Sequence, residues 1–339
     1  MTRSGSEILF VLTVLALPGI AHAGDLPPAP GPHAPSALDE AIAPLLVEND
    51  AAASEARSRP GVREWLGLPE RREDAFEDFA RPVTNINFHH PFVRNEARPL
   101  FMYHWFPETN ALDGGSLRLY AMQLHLALTD DLQFTLYKGG YVDLDAGAFE
   151  DDRGFADFAF GLKYKVWEDA ETPAALAFGL GYEGKSGDRE VLEGMGAGFF
   201  DVFASYARKV APVNVIATAG VFLPRDDDED NRTYHWHLHA DYPVSDRFSP
   251  LVEINGFHYD GSATRNAGLG RGTPLGVEGY DYTTLGAGGV RGNDVITGAL
   301  GFRYALSEDI SFGAAWEVPL TSREDVFDRR LTLDLVLRF

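Results

Sequence analysis

The last nine residues of the chain, LTLDLVLRF at 331–339, alternate with period two between an apolar face and a mixed face. Successive side chains of a β-strand point to opposite sides, so this segment predicts a strand with one wholly apolar side. In lipid every backbone N–H and C=O must be paired within the protein, and a last strand meets that demand by closing against the first strand of a barrel. We therefore expect the apolar face to contact lipid and the mixed face to line a lumen. The apolar face consists of Leu331, Leu333, Leu335, Leu337 and Phe339.

Similar alternating runs recur beyond the N-terminal region and are separated by turn-rich segments, as in membrane β-barrels. In the clearest run, 154–167, the period assigns Ala156 and Phe158 to the lipid face, and Phe155 and Asp157 to the lumen face. About twelve strands are predicted, an even number, as single-chain bacterial barrels require. They cover 100–106, 117–128, 132–143, 154–167, 175–182, 200–207, 213–223, 234–242, 251–259, 296–304, 311–318 and 331–339. The predicted fold class is thus all-β, a transmembrane antiparallel up-and-down β-barrel with an irregular or short-helical N-terminal extension.

The connections between the predicted strands alternate in length. Segments 107–116, 184–196 and 260–293 are long, whereas 129–131 and 211–212 are short. Membrane barrels have short periplasmic turns and longer outer loops. This alternation predicts that the last residue lies at the periplasmic rim of the barrel.

The N-terminal third has a different sequence pattern. Residues 1–23 have the basic start, apolar core and small-x-small cleavage site of a secretory signal peptide. Residues 24–37 are a proline-rich linker. Within 38–98, the pattern allows a helix over 38–58 and a short one over 62–66, whereas 69–98 show no strand alternation. The whole region is predicted to be either a periplasmic arm or a plug-like segment at the barrel mouth. The barrel itself is expected over 99–339.

Composition excludes several functions. A formal charge of -22 argues against binding to nucleic acid, because such binding depends on neutralising phosphates with basic side chains. The chain has no cysteine, which excludes disulfides, thiol catalysis and thiolate metal sites. No cofactor is predicted.

Three histidines, His235, His237 and His239, share the predicted lumen face of one strand. Same-face positions lie roughly 6.8 Å apart, which is long for joint ligation of one ion. The row is therefore interpreted as pore lining, with a metal site as the alternative. The complete predicted lumen set is Asp157, Lys163, Lys165, Asp201, His235, His237, His239, Asp241, Glu253, Arg303, Glu317, Asp334 and Arg338.

Five segments carry a family resemblance: EARPLFMYHWFPE at 96–108, GFADFAFGLKYKVW at 154–167, NGFHYDG at 255–261, GNDVITGALGFRY at 292–304, and EVPLTSREDVFDRRLTLDLVL at 317–337. Together they resemble the bacterial outer-membrane proteins of the phenol-degradation meta-pathway. The likeness spans about 96–339 and implies an outer-membrane barrel with a transport role. It supplies no established site residues.

The terminal Phe339, preceded by Leu337 and Leu335, also resembles the C-terminal assembly signal of bacterial outer-membrane proteins. That resemblance implies two partners, the barrel-assembly machinery and outer-membrane lipid. The sequence does not predict an oligomeric state.

Three functions remain open on sequence alone. The first is an outer-membrane channel for small solutes, apolar or aromatic ones among them. The second is a closed barrel with a structural or surface-interaction role, its interior filled by bulky residues. The third, which we regard as the weakest, is a lipid hydrolase. Its His and Ser would be His258 and Ser262, but their spacing differs from that of the barrel hydrolases they resemble, and catalysis needs the two side chains in hydrogen-bond contact.

Overall fold

A computed structural model describes residues 75–148, 150–264, 276–279 and 281–339, and this part of the chain is built almost entirely of β-strands. The predicted signal peptide, the linker and most of the predicted extension lie outside the described residues. Within the described ranges no helix is long and apolar enough to cross a membrane.

The strands all belong to one antiparallel sheet. Their bounds are β1 Glu96–Trp105, β2 Gly115–Ala127, β3 Leu132–Lys138, β4 Gly140–Ala146, β5 Asp152–Phe155, β6 Phe158–Asp169, β7 Ala174–Gly184, β8 Phe199–Val210, β9 Val213–Pro224, β10 Thr233–Asp241, β11 Phe248–Tyr259, β12 Asp294–Ala305, β13 Ile310–Pro319 and β14 Arg329–Arg338.

The sheet closes because β1 pairs with both β2 and β14. The final strand therefore has a partner on each edge, as the alternating C-terminal segment predicts. Two barrel strands are interrupted: β3 and β4 form one of them, and β5 and β6 form the other. β3 and β4 both pair with β2, and β6 and β5 pair with β3 and β4 respectively. Counted this way the fourteen strands make a barrel of twelve, and the predicted fold class is confirmed.

Burial alternates along the strands with the phase expected of a membrane barrel. In β10 each histidine is buried while Tyr234 and Leu238 are exposed. Phe178 and Leu180 on β7 are 52% and 54% exposed. An apolar surface that runs round a barrel would aggregate in water, but it matches the hydrocarbon of a bilayer. A closed antiparallel barrel of even strand number with this belt is the architecture of outer-membrane proteins, and the chain is one of them.

One predicted alternation is wrong. Phe155 is 60% exposed and Ala156 is fully buried, the reverse of the assignment from the period of 154–167. The reason is the interruption between β5 and β6, where Ala156 and Asp157 both turn inward and shift the phase by one residue. Beyond the break the prediction is correct, since Phe158 faces outward.

The two ends of the barrel differ in their connections. Short turns join β8 to β9 and β12 to β13, at the end where β14 finishes. At the other end the connections are longer, among them 185–198 and the stretch between Tyr259 and Asp294. The predicted alternation is thus present, and we call the two ends the turn end and the loop end.

Candidate functional site in the barrel lumen

Most of the predicted lumen residues point inward and are buried. Lys165 and Arg338 lie instead at the rim of the turn end, partly exposed, where Lys165 contacts Asp131 and Glu168, and Arg338 contacts Glu96. The others are enclosed because the lumen is filled by protein. The buried members are Asp157, Lys163, Asp201, His235, His237, His239, Asp241, Glu253, Arg303, Glu317 and Asp334.

The histidine row of β10 is completely hydrogen-bonded. His235 Nδ1 lies 3.1 Å from His237 Nε2, and His235 Nε2 lies 2.9 Å from Asp201. His237 Nδ1 is 2.9 Å from Asn255 Oδ1, while His239 lies 2.9 Å from Glu253 and 3.1 Å from Asp241. Both ring nitrogens of each histidine therefore have a protein partner. A metal ion would have to displace these partners, so the row serves as a polar wall.

Buried ion pairs line another part of the wall, around β12 to β14 and β1. Asp334 on β14 accepts from Arg98 Nε at 2.5 Å and from Arg303 Nη1 at 2.6 Å. Arg330 donates to Glu317 at 2.7 Å and to Asp281 at 2.6 Å. Buried pairs of this kind contribute more to a defined geometry than to net stability, because desolvation offsets their attraction.

A segment N-terminal to the barrel, residues 75–95, runs through the lumen, and we call it the inner segment. At the turn end the rings of Phe76, Phe79 and Phe92 pack together, with centroids 4.8 to 5.4 Å apart. They form a buried cluster with Ala175, Ala207 and Ile216 of the wall. Apolar contacts thus fasten the base of the inner segment.

The backbone of the inner segment also binds charged groups of the wall. The N–H of Ala80 donates to Asp241 at 3.1 Å, and those of Val83 and Thr84 donate to Glu253 at 2.8 and 2.9 Å.

Its carbonyls accept from basic side chains elsewhere on the wall. Lys163 Nζ donates to the carbonyls of His90 at 2.6 Å and Phe92 at 2.7 Å. Arg98 and Arg303 donate to those of Val83 and Arg81, at 2.5 and 2.9 Å.

Two side chains of the inner segment add specific contacts. Arg81 forms a buried ion pair with Glu96 and donates to Gln123 at 3.1 Å. His89 lies 3.1 Å from Asp201 and stacks on Phe203, with ring centroids 3.8 Å apart and planes inclined by 15°. His89 therefore occupies a site with an aromatic floor and a carboxylate at its edge.

The sequence prediction missed several of these groups. Glu96 and Arg98 are in phase with the inward residues of β1, but the predicted strand began only at Leu100. Arg330 precedes the predicted last strand by one residue. Arg81 and His89 lie in an irregular segment, where no periodic signal could reveal an inward position.

At the loop end, Glu278 organises the described part of the longest loop. Its carboxylate accepts the N–H groups of Gly279 and Leu285 at 2.7 Å and of Ala287 at 2.8 Å. Asn231 also donates to it. Burial raises the pKa of Glu278 to about 7.

The pair considered for hydrolysis does not come together. His258 Nδ1 lies 2.8 Å from Asp294 on the outside of the barrel. Ser262 Oγ accepts instead from the N–H of Arg291 at 2.8 Å. Within the described residues no hydrogen bond joins His258 to Ser262.

Comparison with known proteins yields likenesses of fold. No family model matches the chain, and no curated protein matches it in sequence. Similar solved structures include the NanC porin, at 7% identity and a TM-score of 0.44, covering 72% of this chain and 100% of that one. OprD of Pseudomonas aeruginosa shows 8% identity and a TM-score of 0.36, with 76% and 96% covered. Outer membrane phospholipase A of Escherichia coli shows 9% and 0.35, with 74% and 98% covered.

At these identities and TM-scores the likenesses assign no activity to this chain. The assignment of a membrane barrel rests on the strand pairing of this chain. The finer resemblance to the phenol-degradation meta-pathway proteins remains a prediction.

Proposed function

We propose that the protein is an outer-membrane channel for small solutes, kept closed by the inner segment. The observation that carries the proposal is the way the lumen is filled. The wall presents carboxylates and basic side chains to the backbone of a separate segment, through bonds such as those of Glu253 with Val83 and Thr84. Withdrawal of that segment would leave a polar surface that water and solutes can wet.

The alternative of a permanently closed structural barrel fits this filling less well. A barrel that never opens can fill its interior with side chains of its own strands. Here small residues of the wall leave space in the lumen, and the inner segment occupies part of that space. Ala175, for example, packs against the phenylalanines at the base of that segment.

The site of His89 suggests the class of solute. An aromatic ring that carries a hydrogen-bond donor would reproduce both contacts of His89, stacking on Phe203 and donating to Asp201. Offset-stacked rings attract beyond their buried area. We therefore propose hydroxylated or amino-substituted aromatic solutes, which agrees with the sequence resemblance. A purely apolar solute would leave the Asp201 oxygen that faces His89 without a hydrogen-bond donor, because His235 contacts the other oxygen.

Planar-bilayer recording of an Arg81→Gln variant tests the channel. Removing one partner of a buried ion pair costs about 3 kcal/mol. The state in which the inner segment has left the lumen should therefore become roughly a hundredfold more populated. We expect single-channel steps to be much more frequent than in the wild type. The control is Arg323→Gln, which removes an ion pair with Asp325 at the loop end and leaves the inner segment intact.

Added phenol should interrupt the current of the Arg81→Gln variant, whereas cyclohexanol, of similar size without a flat ring, should not. A Phe203→Leu substitution in the same background should abolish the interruption. A correctly folded Arg81→Gln barrel that never conducts would refute the channel. Conduction blocked equally by both alcohols would refute only the aromatic solute.

A further inference from the structure

Three buried carboxylates converge near the loop end, and one of them, Asp157, belongs to the predicted lumen set. Asp157, Glu183 and Glu193 are each at least nine-tenths buried, and each offers a ligand oxygen within 4.8 Å of the others. They come from different parts of the chain. Asp157 lies in the break between β5 and β6, Glu183 lies near the end of β7, and Glu193 belongs to loop 185–198.

The charge of this cluster is not balanced. Among the described residues, Lys138 is the cation paired with Glu183, at 2.6 Å, and with Glu193, at 2.9 Å. With all three carboxylates ionised, one ammonium would leave two negative charges, which either protons or a further cation must balance. Burial of uncompensated charge is costly, so the site favours a further cation.

Two oxygens at the cluster lack partners. Glu193 Oε2 is used by Lys138 and by the N–H of Asp157, but Glu193 Oε1 is buried without a hydrogen bond. The hydroxyl of Tyr282 is likewise buried and unpartnered. The Tyr282 ring lies 5.0 Å from Lys138 Nζ, which places this side chain against the same cluster. Buried polar atoms in proteins are normally satisfied, so these two point to a missing ligand.

We propose that Asp157, Glu183 and Glu193 bind one divalent cation of the oxygen-preferring class, Ca²⁺. The charge deficit of two matches a divalent ion, and all the available ligand atoms are oxygens, as Ca²⁺ prefers. Lys138 stays in place, because it contacts Oε1 of Glu183 and Oε2 of Glu193. The unpartnered Oε1 of Glu193 is left for the ion.

The ion would fasten loop 185–198 over the barrel wall. Asp157 already holds that loop by accepting the N–H groups of Ser186 at 2.6 Å, Gly187 at 2.7 Å and Gly194 at 3.0 Å. A cation bound by both Asp157 and Glu193 would link the Asp157 carboxylate of the wall to the Glu193 side chain of the loop as well. The consequence is a loop whose protection from solvent depends on Ca²⁺.

The test is calorimetric titration of CaCl₂ into the folded full-length protein in detergent, after treatment with chelator. We expect one site with a dissociation constant on the order of 10⁻⁴ M, as in extracellular calcium modules. Glu193→Gln should weaken binding at least tenfold. Asp227→Asn, which alters an exposed carboxylate of the neighbouring acidic loop, should leave the affinity unchanged.

A Lys138→Met variant distinguishes a cluster that binds a metal cation from a cluster that Lys138 alone neutralises. If Ca²⁺ binds beside Lys138, removal of the ammonium should tighten Ca²⁺ binding, and Ca²⁺ should restore the thermal stability of the variant. Amide exchange of Ser186, Gly187 and Gly194 should slow when Ca²⁺ is added to the wild type. Absence of binding to the wild type, or equal affinity in wild type and Glu193→Gln, would overturn the proposal.

Discussion

Single charged side chains inside the barrel each contact several partners, which determines the effect of a substitution. Arg330 is an example, because its guanidinium joins Glu317 of the wall to Asp281 of the longest loop. Loss of such a group removes the cation that two buried carboxylates share, which is far more costly than loss of a surface pair.

Glu278 should make the loop end sensitive to pH. Its pKa is raised from 4.5 to about 7 by burial, so its protonated form is favoured in the folded loop. The stabilisation is fully present below pH 4.5, and it is lost as the pH rises through 7. The shift corresponds to a loss on the order of 3 kcal/mol at high pH. We expect exchange protection of the Leu285 and Ala287 amides to fall between pH 5.5 and pH 8.5, after correction for intrinsic rates.

A Glu278→Gln variant carries no charge at this position and should show a flat protection profile over the same range. The amide of Leu306, which donates to Ile310 at 2.8 Å in a turn at the other end, serves as an internal control. Equal pH slopes for the loop amides in wild type and variant would show that another group controls the loop.

At the scale of elements, the last strand has two separable roles. Its backbone closes the barrel, since the N–H of Phe339 donates to the carbonyl of Asn95 at 3.0 Å and Leu337 pairs with Ala97. Its ring, with Leu335 and Leu337, is the predicted assembly signal. Deletion of Phe339 removes both the hydrogen bond and the ring, whereas Phe339→Gly removes the ring alone.

If the ring is the signal, both variants should reach the outer membrane several times more slowly than the wild type, as followed by the gel shift of folded barrels. Phe339→Tyr should assemble normally, because it keeps an aromatic ring at the rim. Normal assembly of Phe339→Gly together with failure of the deletion would assign the defect to the lost backbone bond.

At the scale of the whole molecule, the sequence predicts the wall well and the contents of the lumen poorly. A lipid-facing strand must be apolar on every second residue, so strand number and facing follow from the period. The period fails where the strand is interrupted, as at Ala156. It also carries no information about partners across the lumen. His89 meets Asp201, 112 positions away, and no local pattern marks that contact.

The inner segment therefore gives the last test, because the proposed channel requires it to move. Val83 packs with Leu251 and Ala315 in a small buried cluster, and the natural chain has no cysteine. Cysteines at positions 83 and 315, added to the Arg81→Gln variant, should form a disulfide that joins the inner segment to β13. Conductance should disappear on oxidation and return on reduction, while each single-cysteine variant should conduct under both conditions.

Unchanged conductance with the disulfide verified by mass spectrometry would mean that ions pass without displacement of the inner segment. The barrel would then be a permanently open pore of a different kind, and the polar contacts of the inner segment would be purely structural.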